Sequence, residues 1–189
     1  MKRMVLIAMG LTLLAGSGFA QPYPGLPDTA YVGLFADVGR TVRSVNYVGP
    51  APTAFTMYLY WLPSKRGMLA AEFKISYPSN VIGGLITPDA TLTIQLGTLS
   101  AGISIAWNQD SCQTDWVYSH RQACFLMSAA QTQIQLVENP AVLPFPAYQV
   151  GTCGYIIEPV KRFTHLYLNW DGGTAVESKS WGAIKNLFQ

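Results

Sequence analysis

Charge is the first thing this sequence lacks. Asp, Glu, Lys and Arg make up 12% of its 189 residues, about half the usual share. Two of the twelve basic residues, Lys2 and Arg3, lie in the first twenty, so residues 21–189 hold ten basic and ten acidic side chains and are formally neutral. Such a balance leaves no basic patch and argues against nucleic acid or an anionic membrane surface as a partner. Histidine is scarcer still, with only His120 and His165. Neither sits in a His-x-x-x-His pair or near a Cys-x-x-Cys, and no Gly-x-Ser-x-Gly elbow or phosphate loop is present. No metal and no cofactor are therefore expected. Long apolar runs are missing too: beyond Ala20 nothing approaches the ~20 continuous apolar residues of a membrane helix, so no membrane span is expected in the mature chain.

What is present begins with an export signal. Lys2 and Arg3 form a basic start, Val5 to Leu14 an apolar stretch too short to span a bilayer, and Gly18-Phe19-Ala20 places small residues before a cleavage site. Residues 1–20 read as a signal peptide, 21–170 as one β domain and 171–189 as a linker with a short tail, so the protein is expected to be secreted or held at the cell surface. Export also sets the fate of Cys112, Cys124 and Cys153, since disulfides persist outside the cytoplasm. Three cysteines leave three pairings open. The shortest loop joins Cys112 to Cys124 around Asp115, Trp116 and His120. The thiol left over reads as a small buried hydrophobe rather than a nucleophile, because no base motif accompanies it.

The strand pattern is clearest from Phe55 to Tyr77. Phe55, Met57, Leu59 and Trp61 alternate with Thr56, Tyr58 and Tyr60; Pro63 to Gly67 supplies turn chemistry; and Ala71, Phe73, Ile75 and Tyr77 alternate with Glu72, Lys74 and Ser76. The reading is a β-hairpin with one buried face. Further strands are expected at Tyr31 to Ala36, Val42 to Val48, around Leu92 to Leu96 paired with Ile103 to Trp107, at Ala123 to Ser128 paired with Thr132 to Glu138, at Tyr155 to Glu158 and over Phe163 to Trp170. Pro140, Pro144 and Pro146 mark an edge connection. Eight to ten short strands without an internal helix predict an all-β fold, a single antiparallel β-sandwich, with a closed barrel as the alternative. Trp181, Ile184 and Leu187 are spaced three apart behind Ser180, which predicts a short amphipathic C-terminal helix.

Three segments carry a resemblance. Tyr31-Val32-Gly33-Leu34-Phe35-Ala36-Asp37, Ala70-Ala71-Glu72-Phe73-Lys74-Ile75 and the closing Ser180-Trp181-Gly182-Ala183-Ile184-Lys185-Asn186-Leu187-Phe188 together resemble a group of uncharacterised secreted bacterial proteins. Their sandwich is similar to cohesin and immunoglobulin-like modules. The resemblance implies a cohesin-like or immunoglobulin-like β-sandwich and brings no activity, cofactor or site residue.

Two functions compete. A non-catalytic extracellular module for binding, adhesion or assembly would use outward aromatics, with Tyr58, Tyr60, Trp116 and Trp181 as candidate binding residues for a protein or glycan, or for a second copy of the chain. The alternative is an extracellular hydrolase, acting on glycans through His120 or a pair among Glu72, Glu138 and Glu158. Asn108, Asp110 and Asp115 offer oxygen ligands to calcium on one loop, but in no EF-hand spacing. Low charge, two histidines and no catalytic motif favour the binding module, and no enzyme is expected.

Overall fold

The alternation over Thr53–Leu62 makes the strand around which the first sheet is built. Thirteen strands occur among the described residues: β1 Tyr31–Phe35, β2 Ser44–Val45, β3 Thr53–Leu62, β4 Ala70–Ser76, β5 Val81–Pro88, β6 Leu92–Thr98, β7 Gly102–Trp107, β8 Val117–Leu126, β9 Thr132–Val137, β10 Gln149–Gly151, β11 Ile157–Pro159, β12 Arg162–Thr164 and β13 Leu166–Leu168. The structure, a computed structural model, describes residues 23–108, 110–141 and 148–170. The expected signal peptide, the tail with Trp181 and most of the proline-rich connection lie outside the described residues.

Two sheets face each other. The first runs β12-β1-β3-β8-β5; the second runs β11-β10-β4-β9-β13-β2, with β7 on the other flank of β4 and β6 beyond β7. Between them Val32, Leu34, Met57, Leu59 and Trp61 from the first sheet meet Phe73, Ile75, Ile103, Ile105, Ile134 and Leu136 from the second, each at most 2% exposed. The Trp61 and Phe73 rings cross edge to face at 5.3 Å, a favourable arrangement for buried aromatics. The all-β sandwich is thus the fold, and not a closed barrel. Its pairings are antiparallel except β1 with β12 and β13 with β2, which are parallel. Both exceptions arise at the end of the domain, where the chain leaves the first sheet after Thr164 and enters the second at Leu166.

The expected hairpin is not formed. β3 and β4 belong to opposite sheets, and residues 63–69 arch between them. Alternation reports the buried face of a strand and not its partner: the inward residues of β3 and β4 do share a core, but they meet across it. The same reason separates β8 and β9, which lie in different sheets instead of pairing. β5 escapes the pattern because Gly83-Gly84 interrupts it and the register slips between Gly83 and Ile86. β8 starts six residues before the expected Ala123 because a bulge at Ser119 breaks its alternation: Leu59 lies opposite His120, and Tyr60 opposite Tyr118. The Ser119 hydroxyl accepts from the Trp61 indole at 3.2 Å, so the extra residue satisfies a buried donor.

The disulfide joins Cys112 to Cys153, with 5.7 Å between their α-carbons, and not to Cys124. Strand geometry decides this. Cys124 is on β8 facing the core, fully buried, while Met68 bridges to Gln113 and the Cys153 N–H donates to the Arg66 carbonyl. Both partner cysteines are thereby brought against the arch. Gly67, at φ 68°, lies under the bridge, and a β-carbon there would collide with both sulfurs. The buried Cys124 thiol is pushed up to about 12 by burial, so it stays protonated and inert.

Candidate functional site

The outward side of the first sheet gathers large aromatic side chains. Alternation turns Tyr31 and Phe35 of β1, Tyr58 and Tyr60 of β3 and Tyr118 of β8 to this side. Gly33, between Tyr31 and Phe35, keeps the space their rings use: a β-carbon there would lie 2.6 Å from the Phe35 ring and 2.8 Å from the Tyr31 hydroxyl. Tyr58, Tyr60 and Tyr118 form a cluster with centroids 5.7 to 6.5 Å apart, and Trp116 sets its edge against Tyr31 at 5.5 Å. Three of the four candidate binding residues, Tyr58, Tyr60 and Trp116, therefore share one face, joined by Tyr118, which the broken alternation of β8 conceals. The face is not open throughout. The β1–β2 loop folds over Tyr60, whose hydroxyl donates to the Val38 carbonyl at 3.2 Å, leaving it 9% exposed. Burial raises the Tyr60 phenol above its ordinary value despite the nearby Arg40 guanidinium. Beside it, half-buried Tyr58 and Tyr118 line a shallow cleft of about 320 Å³ with Asp89 and Arg121.

The outward side of the second sheet is built from the opposite material. Register places Ile94 opposite Ala106, Ala106 opposite Ala70, Ala70 opposite Gly151 and Gly151 opposite Ile157. This row crosses five strands, with small residues in the middle and isoleucines at both ends. Ile94 is 52% and Ile157 66% exposed. A shallow trough of about 250 Å³ follows. The next row along reads Leu96, Ser104, Glu72, Gln149 and Pro159 in the same order of strands. Here Glu72 is fixed as a polar lip: its Oε1 accepts from the Ser104 hydroxyl at 2.8 Å and its Oε2 from the Gln149 amide at 2.6 Å. Nothing in the alternation of Leu92, Ile94 and Leu96 reveals this surface, since Gln95 is the residue that turns inward. The legible signal was the run of small residues at outward positions, Gly102, Ser104 and Ala106.

The residues considered for hydrolysis are placed elsewhere. His120 is not in a loop but on β8 inside the sandwich, 1% exposed, with its Nε2 at 3.2 Å from Gln95 Oε1 and its Nδ1 without a partner. Burial pushes it down to about 4, so it is a neutral core side chain bridging the two sheets. His165 lies at the crossing between β12 and β13, where its Nδ1 accepts the Leu136 N–H at 3.1 Å. Glu72 and Glu158 lie on opposite sides of the second sheet. Glu158 is held by the Ser64 hydroxyl at 2.8 Å and Arg66 at 2.7 Å, and Glu138 is exposed after β9. No carboxylate pair flanks a cleft in this arrangement. Asn108 Oδ1 accepts the Asp110 N–H at 3.1 Å and Asp115 Oδ1 the Trp116 N–H at 2.6 Å, so these oxygens shape their own turns. Among the described residues no three His, Cys, Asp or Glu side chains converge as metal ligands, and no helix is long and apolar enough to cross a membrane.

Comparison with known proteins bears on the fold. No family model matches the chain, and no curated protein matches it in sequence. Among solved structures it is similar to a cohesin module of a family 33 glycoside hydrolase from Clostridium perfringens, at 12% identity and a TM-score of 0.51 over 75% of this chain and 98% of that one. A non-cellulosomal cohesin from the archaeon Archaeoglobus fulgidus matches at 6% identity and a TM-score of 0.49, covering 74% and 89% of the two chains. A type I cohesin–dockerin complex from Clostridium thermocellum matches at 7% identity and 0.49, covering 76% and 95%.

Proposed function

We propose that this protein is a non-catalytic binding and assembly module that holds a protein partner in the trough across β6, β7, β4, β10 and β11. One observation carries the reading: five outward positions in register combine a floor of Ala106, Ala70 and Gly151 with exposed Ile94 and Ile157 at the ends. A sheet face of this kind lets another backbone come close, and the apolar ends supply the burial that association needs. Glu72, already oriented by two hydrogen bonds, gives the partner a fixed acceptor at little further ordering cost. Tyr155 adds a 83% exposed ring in the turn between β10 and β11. The cohesin-like fold supports a binding role by analogy of architecture alone.

The same reading makes residues 1–20 an export signal, 21–170 the binding domain and 171–189 a linker and docking tail containing Trp181. The module acts outside the cell or at its surface, a setting in which the Cys112–Cys153 bridge persists.

The test is capture from the medium of the culture that natively produces the protein, with three baits: wild type, Ala106→Arg and the Tyr58→Ala/Tyr118→Ala double variant. A protein held by wild type and by the tyrosine variant but released by Ala106→Arg is the expected result. Retention indifferent to Ala106→Arg contradicts the assignment. Light scattering on the purified domain separates a second copy of the chain from a different partner.

A further inference from the structure

The aromatic face of the first sheet carries a second feature that the trough does not explain. Asp37 organises the loop from β1 to β2: its Oδ1 accepts the N–H groups of Thr41 at 2.9 Å and Val42 at 2.7 Å, and its Oδ2 accepts the Thr41 hydroxyl at 2.8 Å. Burial pushes this carboxyl up, but the Val42 N–H and the Thr41 hydroxyl and N–H hold it on balance below the usual carboxylate range. Within the loop Arg40 adopts φ 61°, a left-handed backbone that disfavours any residue with a β-carbon. Its guanidinium lies 4.8 Å from the Trp116 ring centroid and 5.2 Å from that of Tyr60. Arg43 stacks over Phe35 at 5.7 Å. Arg162, opposite Tyr31 across the β1–β12 pair, closes a cleft of about 460 Å³.

Among the described residues three cations share this cleft and no carboxylate lines it. Among the described residues the ion pairs are Lys65 with Asp28 and Arg66 with Glu158. Lying over these rings, Arg40 and Arg43 have N–H groups to offer a planar anion, since guanidinium binds carboxylate through two hydrogen bonds. Arg40, in a left-handed backbone conformation, has ring contacts with Trp116 and Tyr60 but no ion pair among the described residues, and it lies beside two further arginines.

We propose that this cleft binds a carboxylate-bearing sugar chain. A uronic acid ring uses every group present: its carboxylate meets the guanidinium edges, its C–H face lies on Tyr31 or Trp116, and its hydroxyls meet Thr164, whose oxygen already accepts from Tyr31 at 2.6 Å and whose proton is left to donate. An acidic peptide uses only the cations. The site is independent of the trough and lies on the other sheet.

The experiment is titration calorimetry of the full mature protein with trimers of galacturonic, mannuronic and glucuronic acid, a neutral galactose trimer and triglutamate. At least one uronate trimer binds at one site, and the neutral trimer and triglutamate bind about tenfold more weakly or worse, as loss of a charge-assisted bond or of ring stacking implies. Arg43→Gln/Arg162→Gln lowers uronate affinity by about tenfold while the protein stays folded with at most a small drop in melting temperature, since Arg162 is exposed and Arg43 loses only its contact over Phe35. Failure of all three uronates, equal binding of the neutral trimer or of triglutamate, or an undiminished affinity in the double variant overturns the proposal.

Discussion

The two outward faces of this sandwich differ more than its two inward ones. Inside, both sheets present mainly large apolar side chains, in alternation that only β5 and the bulge in β8 interrupt. Outside, the first sheet carries Tyr31, Phe35, Tyr58, Tyr60 and Tyr118 and is partly covered by its own loop, while the second carries Ala70, Ala106, Gly151 and Ser104 between exposed isoleucines and is covered by none of the described residues. The difference teaches that outward side-chain size decides what can approach a sheet. Large rings fill the space above the strands and leave clefts for small ligands between them. Small residues leave the backbone within reach of a partner's bulk.

The comparison breaks first at the disulfide, which ties together the end of the sandwich nearest the trough. Its cysteines are 41 residues apart, and closing such a loop stabilises by about 3 to 4 kcal/mol on the chain-entropy account. Cys112→Ser/Cys153→Ser is expected to lose that amount in urea denaturation. It should weaken capture of the protein partner more than uronate binding, because the β10–β11 turn carries Cys153 and the aromatic face does not.

Acid tests what both faces share. His120 spans the sheets, and burial depresses its folded value to about 4 from 6.5. The unfolded chain therefore takes up this proton first as pH falls. Stability is complete above pH 6.5, declines between 6.5 and about 4, and then levels, for a total loss of up to about 3 kcal/mol from this group. Denaturation at pH 7 and pH 4.5 checks the decline, and His120→Leu should reduce it to the part that His165, also pushed down by burial, contributes. Since the core is common, both binding activities should fall together with the folded fraction.

The smallest effect sharpens the contrast most. Tyr58→Ala/Tyr118→Ala removes half-buried rings worth roughly 1 kcal/mol each at most in cross-strand contacts, and is expected to leave partner capture within twofold of wild type. A strong loss of capture would move the protein site to the tyrosine face.

Much of this was legible in the chain. The inward and outward sides of β3 and β4 follow from alternation, and so does the sharing of one face by Tyr58 and Tyr60. What was not legible needed distance information. Pairing partners could not be read, so an arch between sheets looked like a hairpin; the bulge at Ser119 hid β8 and made a core histidine look like a loop residue; and the Cys112–Cys153 contact depends on three connections meeting at one end. The trough shows in the sequence only as the small outward residues of β7, for a different reason. Its residues come from five strands, and alanine, glycine and isoleucine carry no motif until register lines them up. Arg40 is notable only once its backbone angle and the rings beneath it are known.

The measurement that bears most directly on the central claim is a chemical-shift map of the isotope-labelled domain as the captured protein partner is added. The account predicts that amide signals move in β4, β6, β7, β10 and β11, led by Ala70, Ala106 and Gly151, while those of β1, β3 and β8 stay in place. Shifts centred on Tyr58, Tyr60 and Trp116, with the trough unchanged, would contradict it.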